Sequence, residues 1–96
     1  MAILKWTHEA EASLRDIYDY IARDRPGTAE RTLESLLHRL ESIRSFPQAG
    51  QPYAYLGDGT IQMFSYGQFQ VAYCHEDSGD VTVLAVFHGL IFLPLN

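Results

Sequence analysis

The chain of 96 residues has the length of one compact domain, and its 47% hydrophobic content is ordinary for a globular protein. Its net charge of −5 argues against non-specific binding to nucleic acid, because a phosphate backbone attracts basic proteins. The single cysteine, Cys74, cannot form an internal disulfide, which favours a reducing compartment, and the sequence has neither a bilayer-spanning apolar run nor a signal-peptide core. We therefore expect residues 1–96 to form a single cytoplasmic domain without a membrane partner.

The basic residues are confined to the first half of the chain. All seven Lys and Arg residues lie within residues 1–44, together with eight of the twelve acidic residues. Residues 45–96 contain no Lys or Arg but four acidic residues, Asp58, Glu76, Asp77 and Asp80. A partner segment that meets this acidic half is therefore expected to contribute Lys or Arg.

The first half of the chain predicts a short strand followed by two helices. Residues 2–6 are an apolar run typical of a buried strand, and the hydroxyl of Thr7 can cap the helix that follows. Pro26 and Gly27 interrupt the helical spacing, and Pro26 suits the first turn of a second helix. The apolar stripes are Ala10, Leu14, Ile17, Tyr18 and Ile21, then Ala29, Leu33, Leu36, Leu37, Leu40 and Ile43.

The second half changes to a period of two residues, which indicates strands. The predicted strands are residues 60–64, 69–74 and 81–88, and residues 51–56 add a fourth if they join the sheet. An antiparallel meander and a helical hairpin each have one apolar face, and packing them together buries both. The sequence thus predicts an α+β fold. In its core, Leu14, Ile17 and Ile21 are expected to contact Leu33, Leu36, Leu40, Val71, Tyr73 and Val83.

The residue pattern does not indicate a metal or cofactor site. The four histidines are not spaced as metal ligands, and Gly57 and Gly59 lie in a turn between extended segments rather than in a phosphate-binding loop. Cys74 is expected to fill space on the sheet, because strand alternation directs it away from the neighbouring His75. We expect no metal, no cofactor and no catalytic residue.

RNA cleavage by acid–base chemistry is the enzymatic alternative. Tyr or His can transfer protons at neutral pH, and four such residues lie on or beside the predicted sheet: Tyr66, Tyr73, His75 and His88. Charge that develops at phosphorus, however, needs a cation to stabilise it, and the predicted meander contains none. An arginine would have to reach in from a helix.

The last nine residues, 88–96, are strongly apolar. Either this segment folds onto the core of its own domain, or it exposes a hydrophobic patch that contacts a partner. The residue pattern leaves both possibilities open.

Several short motifs follow one another along nearly the whole chain. They are Ile3-x-x-Trp6-Thr7, Ala10-x-x-Ser13-Leu14-x-x-Ile17-x-x-Tyr20-Ile21-Ala22, Pro26-x-x-Ala29, Leu40-x-x-Ile43-x-x-Phe46-Pro47-x-x-Gly50-Gln51, Tyr73, and Val83-Leu84-x-Val86-Phe87-His88-Gly89. In this order and spacing they resemble the ParE/RelE superfamily of toxins from type II toxin–antitoxin pairs, and within it the ParE branch.

The resemblance implies two antiparallel helices packed on a curved antiparallel sheet, in the order β-α-α-β-β-β, with the first strand beside the last. It also implies a cytoplasmic toxin that forms a hetero-oligomer with a ParD-like antitoxin, whose C-terminal segment wraps around it. ParE-like relatives poison DNA gyrase by protein contact, whereas RelE-like relatives cleave mRNA on the ribosome with basic residues on the sheet.

This chain departs from the superfamily where relatives often carry basic residues. Neutral residues occupy 60–63 and 90–91, and Cys74 and His75 follow Tyr73. We therefore expect a protein-binding toxin whose target is DNA gyrase and which a cognate antitoxin neutralises. The alternatives are a ribosome-dependent mRNA interferase and a non-toxic homologue that only binds antitoxin. The residues expected to contact partners are Tyr66, His88, Leu90, Ile91, Phe92 and Leu93.

Overall fold

A computed structural model describes residues 2–88 of the chain. The elements are β1 (Leu4–Trp6), α1 (His8–Ala22), α2 (Pro26–Ser45), a 3-10 helix (Pro47–Ala49), β2 (Gln51–Leu56), β3 (Gly59–Tyr66), β4 (Phe69–Glu76) and β5 (Val81–His88). The predicted α+β order is confirmed, and residues 51–56 do join the sheet as a strand.

The helices begin where the local sequence signals place them. The Thr7 hydroxyl accepts a hydrogen bond from the Ala10 N–H at 3.0 Å, as an N-cap does, and donates one to the Leu84 carbonyl at 3.0 Å. The cap of α1 is thereby tied to β5. Pro26 is the first residue of α2, where its missing N–H leaves no helical hydrogen bond unmade.

The five strands form one sheet in the order β1-β5-β4-β3-β2. Strands β2 to β5 are antiparallel neighbours, and β1 lies beside β5 as the resemblance implied. This last pair is parallel, with Leu4 opposite Val81 and Trp6 opposite Val83, so the sheet is mixed rather than antiparallel throughout. Both helices and three strands lie between β1 and β5, and parallel pairing requires such a long connection.

The two helices pack on one face of the sheet and bury a single apolar cluster there. Its members are Ala10, Ile17, Leu36, Leu40, Ile43, Phe64, Phe69, Val71, Tyr73, Val81, Val83 and Val86. Leu14 and Ile21 are partly buried against it, as predicted. Leu33 is not part of the cluster, but it lines a small void with Ile17 and Leu36, and it also borders a groove between the helices.

Candidate protein-binding site

An open groove of about 720 Å³ runs between α1 and α2. Each helix contributes four residues at the spacing i, i+3, i+4, i+7, which places them along one face. They are Glu11, Leu14, Arg15 and Tyr18 from α1, and Glu30, Leu33, Glu34 and Leu37 from α2, with Trp6 added from β1. Five of these nine side chains are apolar or aromatic, so the groove presents a hydrophobic floor between charged rims.

The rims of this groove are net negative. Three glutamates, Glu11, Glu30 and Glu34, face one arginine, Arg15. None of the four forms an ion pair within residues 2–88, where the ion pairs involve Lys5 and Arg44. Their charges are therefore available to a partner.

The apolar stripe of α2 is wider than the core requires, and this explains the groove. Ala29, Leu36, Leu40 and Ile43 are buried, whereas Leu37 is 38% exposed. At 100° per residue, Leu33 and Leu37 are centred roughly 70° around the helix from the buried positions. The sequence prediction named Leu33, Leu36 and Leu40 of this stripe as core contacts and gave Leu37 no separate role.

Two of the residues predicted to contact partners lie at the far end of the sheet. Tyr66 is half-buried against the core and lines a smaller cavity of about 310 Å³ with Thr28, Arg31, Thr32 and Ser35 of α2. In the sheet register, Tyr66 of β3 and His88 of β5 are both opposite Phe69 of β4. The fold thus brings the backbone positions of Tyr66 and His88 to either side of one residue. Leu90, Ile91, Phe92 and Leu93 lie outside the described residues.

Tyr73, a candidate for proton transfer, is instead a buried structural residue. Its hydroxyl donates to the Pro47 carbonyl at 2.6 Å and accepts from the Gly50 N–H at 3.0 Å and from Gln62 Nε2 at 3.3 Å. Gln62 Nε2 also donates to the Gly50 carbonyl at 2.9 Å. Burial raises the pKa of Tyr73, although the hydrogen bond from Gly50 lowers it in part. A fully buried phenol cannot touch a substrate, so its role in RNA cleavage is not supported.

Cys74 is likewise unsuited to nucleophilic chemistry. It is buried, and its pKa is raised first by that burial and then by the nearby carboxylates of Glu76, Asp58 and Asp77, which outweigh Lys5. The thiol form is therefore favoured, whereas a nucleophile needs the thiolate. Within residues 2–88 there is also no group of three or more His, Cys, Asp or Glu side chains that could hold a metal ion.

The sheet face that the helices leave uncovered is almost free of positive charge. Strand alternation and register place Ile61, Met63, Ala72, Cys74, Ala85 and Phe87 on it. Lys5 of β1 is the one Lys or Arg on the five strands as described, and its Nζ lies 3.4 Å from Glu76 and 3.7 Å from Asp80. Two of the four acidic residues in the second half are thereby engaged within the chain.

The fold matches a solved structure, and the sequence matches a protein family. A chain of the chromosomal ParDE toxin–antitoxin system from P. aeruginosa shares the fold, with a TM-score of 0.71 and 18% identity, over 93% of this chain and 97% of that one. No curated protein matches, and neither helix within residues 2–88 is long and apolar enough to cross a membrane. The family model that matches this chain is one of type II toxins. Residues 4–90 match the ParE toxin of the type II toxin–antitoxin system parDE, and the chain belongs to that family.

Proposed function

We propose that this toxin acts by binding two proteins, a ParD-like antitoxin that neutralises it and a cellular target, DNA gyrase. Membership of the ParE family supports a protein-binding mode of action. The groove between α1 and α2 is the observation that carries the antitoxin part of the proposal.

The shape and charge of the groove fit an amphipathic helix. Such a helix lays its apolar side into a hydrophobic channel between two helices, and residues spaced i, i+3, i+4 and i+7 make the contacts. Trp6, Tyr18 and Leu33 offer apolar surface, and the three glutamates of the rims favour Lys or Arg on either side of the apolar face of the partner. The antitoxin segment in this groove is therefore basic and amphipathic.

The contact with the target is assigned to a different surface. We place it on Tyr66, His88 and the apolar residues Leu90, Ile91, Phe92 and Leu93. The cavity beside Tyr66 is lined by Thr28, Thr32 and Ser35, which point roughly 160° around α2 from the groove residues Leu33 and Leu37. A helix in the groove leaves the cavity beside Tyr66 uncovered, so blocking Tyr66 requires the antitoxin to extend beyond the groove.

The interferase alternative is less well supported. The uncovered face of the sheet has no free cation among the described residues, and the phenol of Tyr73 is engaged in structural hydrogen bonds. A transition state at phosphorus would lack the positive charge that stabilises it. The other alternative is a homologue that binds antitoxin without being toxic, and the experiment below distinguishes it from a toxin.

The experiment is to induce the chain alone in a bacterial host and to assay supercoiling by purified gyrase with added toxin. We expect growth arrest and loss of supercoiling, both relieved by the antitoxin encoded beside the toxin. Tyr66→Ala should weaken the inhibition of gyrase. Tyr55→Ala is the matched control, because Tyr55 is exposed and lies outside the proposed contact, and it should inhibit as the wild type does. Cleaved transcripts with unaffected gyrase would establish the interferase instead. Tight antitoxin binding with normal growth would establish the non-toxic homologue.

A further inference from the structure

A second cleft, of about 620 Å³, opens where β2 begins, beside the part of β3 that extends past it. The pairing of these strands begins at Gln51 opposite Met63, while β3 continues to Tyr66 and remains paired with β4 on its other side. Residues 64–66 therefore have an outer edge without a strand partner in the described part of the chain. Such an edge offers unpaired backbone N–H and C=O groups to any extended segment.

Arg39 of α2 supplies the positive charge of this cleft. Its guanidinium carbon lies 5.6 Å from the ring centre of Phe64, a side chain only 7% exposed. Arg39 is the only Lys or Arg among the described residues that line the cleft, and it forms no ion pair there. A guanidinium has five N–H donors, so those of Arg39 that do not face the ring can bind a carboxylate.

We propose that this cleft binds an extended peptide segment that carries a carboxylate side chain. The segment adds to the outer edge of β3 through main-chain hydrogen bonds, and its carboxylate pairs with Arg39. Apolar surface from Pro52 and Met63 takes a neighbouring side chain. The wall formed by Ser65 and Gln70 is polar but uncharged, and the Gln70 amide already donates to the Ser65 hydroxyl at 2.8 Å.

Peptide is favoured over nucleic acid as the occupant. A strand of RNA brings a phosphate with every nucleotide, whereas the cleft has a single guanidinium in a chain of net charge −5. An extended peptide needs only one cation and uses the unpaired strand edge. The cleft lies on the side of α2 away from the groove, so this inference does not depend on the antitoxin helix proposed there. Tyr66, the proposed target contact, lies on the same strand edge, but the test below contains no target and is read independently of it.

The test is a titration of the isotopically labelled protein, followed by NMR of its backbone amides. The probes are the peptide acetyl-Thr-Val-Asp-Val-Thr-amide and its matched form with Asn in place of Asp. We expect the amides of residues 64–66 to shift, and the Asp peptide to bind about tenfold more tightly than the Asn peptide, as a charge-assisted pair does.

Variants of Arg39 identify the group responsible. In Arg39→Gln the preference for Asp over Asn should fall to within about twofold, and Arg39→Lys should retain part of it. Arg23→Gln changes an exposed arginine whose guanidinium carbon lies 6.0 Å from the ring centre of Tyr20 and which does not line the cleft, and it should leave the preference unchanged. An unchanged preference in Arg39→Gln would overturn the proposal. So would shifts confined to other amides, no binding of either peptide at millimolar concentration, or an oligouridylate that shifts residues 64–66 when the peptides do not.

Discussion

The buried polar cluster around Tyr73 and the groove between α1 and α2 differ in which groups are exposed. Polar groups are buried in the cluster, whereas apolar groups are partly exposed in the groove. In the cluster, the hydroxyl of Tyr73 and the amide of Gln62 are buried, and both form hydrogen bonds with the backbone of the segment after α2. In the groove, the apolar side chains Leu33 and Leu37 are partly exposed, beside rim charges that form no ion pair with any residue in the described range 2–88.

The difference separates residues that hold the fold from residues that can bind a partner. The cluster joins the segment after α2 to the sheet, because Pro47 and Gly50 both hydrogen-bond to Tyr73. Its variants should therefore lose stability before they lose binding. Variants of the groove should lose binding while the fold remains intact.

The largest expected effect on stability comes from Gly50→Ala. The added Cβ would lie 2.5 Å from the Tyr73 hydroxyl oxygen and 2.9 Å from the Met63 carbonyl oxygen, so the cluster must move apart. We expect the free energy of unfolding to fall by about 3 kcal/mol, measured by urea denaturation. Gly57→Ala is the control, because nothing lies within 4 Å of its added Cβ. Equal stability of the two variants would contradict the description of the cluster.

The next effect is that of Tyr73→Phe, which removes the acceptor of the Gly50 N–H and leaves that donor buried. The expected loss is about 2 kcal/mol, against almost none for Tyr55→Phe, whose side chain is 78% exposed. The same variant separates a structural role from a catalytic one. If the folded Tyr73→Phe protein lost all toxicity at unchanged stability, the structural assignment would be wrong.

A smaller effect should appear at high pH. The folded state raises the pKa of Tyr73 above its ordinary value of 10.0, so the neutral phenol is favoured by folding. The stability that this contributes is complete below pH 10 and is lost as pH rises through the raised pKa. Cys74, raised from 9.0, adds a similar decline that starts lower. Denaturation midpoints between about pH 8 and 11 should fall less steeply in Tyr73→Phe than in the wild type. Parallel profiles would contradict the assignment.

The smallest effect is expected from the rim of the groove. Replacing both Glu30 and Glu34 by Gln should weaken antitoxin binding by severalfold at low ionic strength, mainly through slower association. The difference should shrink as salt screens the charges, with a Debye length of about 8 Å at 0.15 M. Rates measured over a salt series provide the check. A salt-independent difference would argue against an electrostatic role of the rim.

Most of the fold follows from local signals in the sequence. Thr7 and Pro26 mark the starts of the helices, and the change of period after Gly50 marks the start of the sheet. The pairing of β1 with β5 could be predicted only from the family resemblance, because hydrophobic periodicity does not indicate which distant strands pair. The parallel direction of that pair was not foreseen at all.

The candidate site was harder to predict for a similar reason. An apolar stripe does not reveal which of its residues meet a neighbouring layer, so the pattern alone does not show that Leu37 stays exposed. The role of Tyr73 depends on Pro47 and Gly50, which are more than 20 residues away in sequence and meet it only in the folded chain. Partner contact by Tyr66 and His88 stays a prediction. The structure adds that both residues are opposite Phe69 in the sheet.

The most direct test of the account is the affinity of the antitoxin for a toxin with a charge placed in the groove. Leu37→Asp is compared with Leu56→Asp, since both leucines are partly exposed, at 38% and 50%, and Leu56 lies on β2 away from the groove. We expect Leu37→Asp to weaken binding by at least about 30-fold, with the unfolding free energy nearly unchanged, and Leu56→Asp to bind as the wild type does. Equal affinity of the two variants, both folded, would show that the groove is not the antitoxin site.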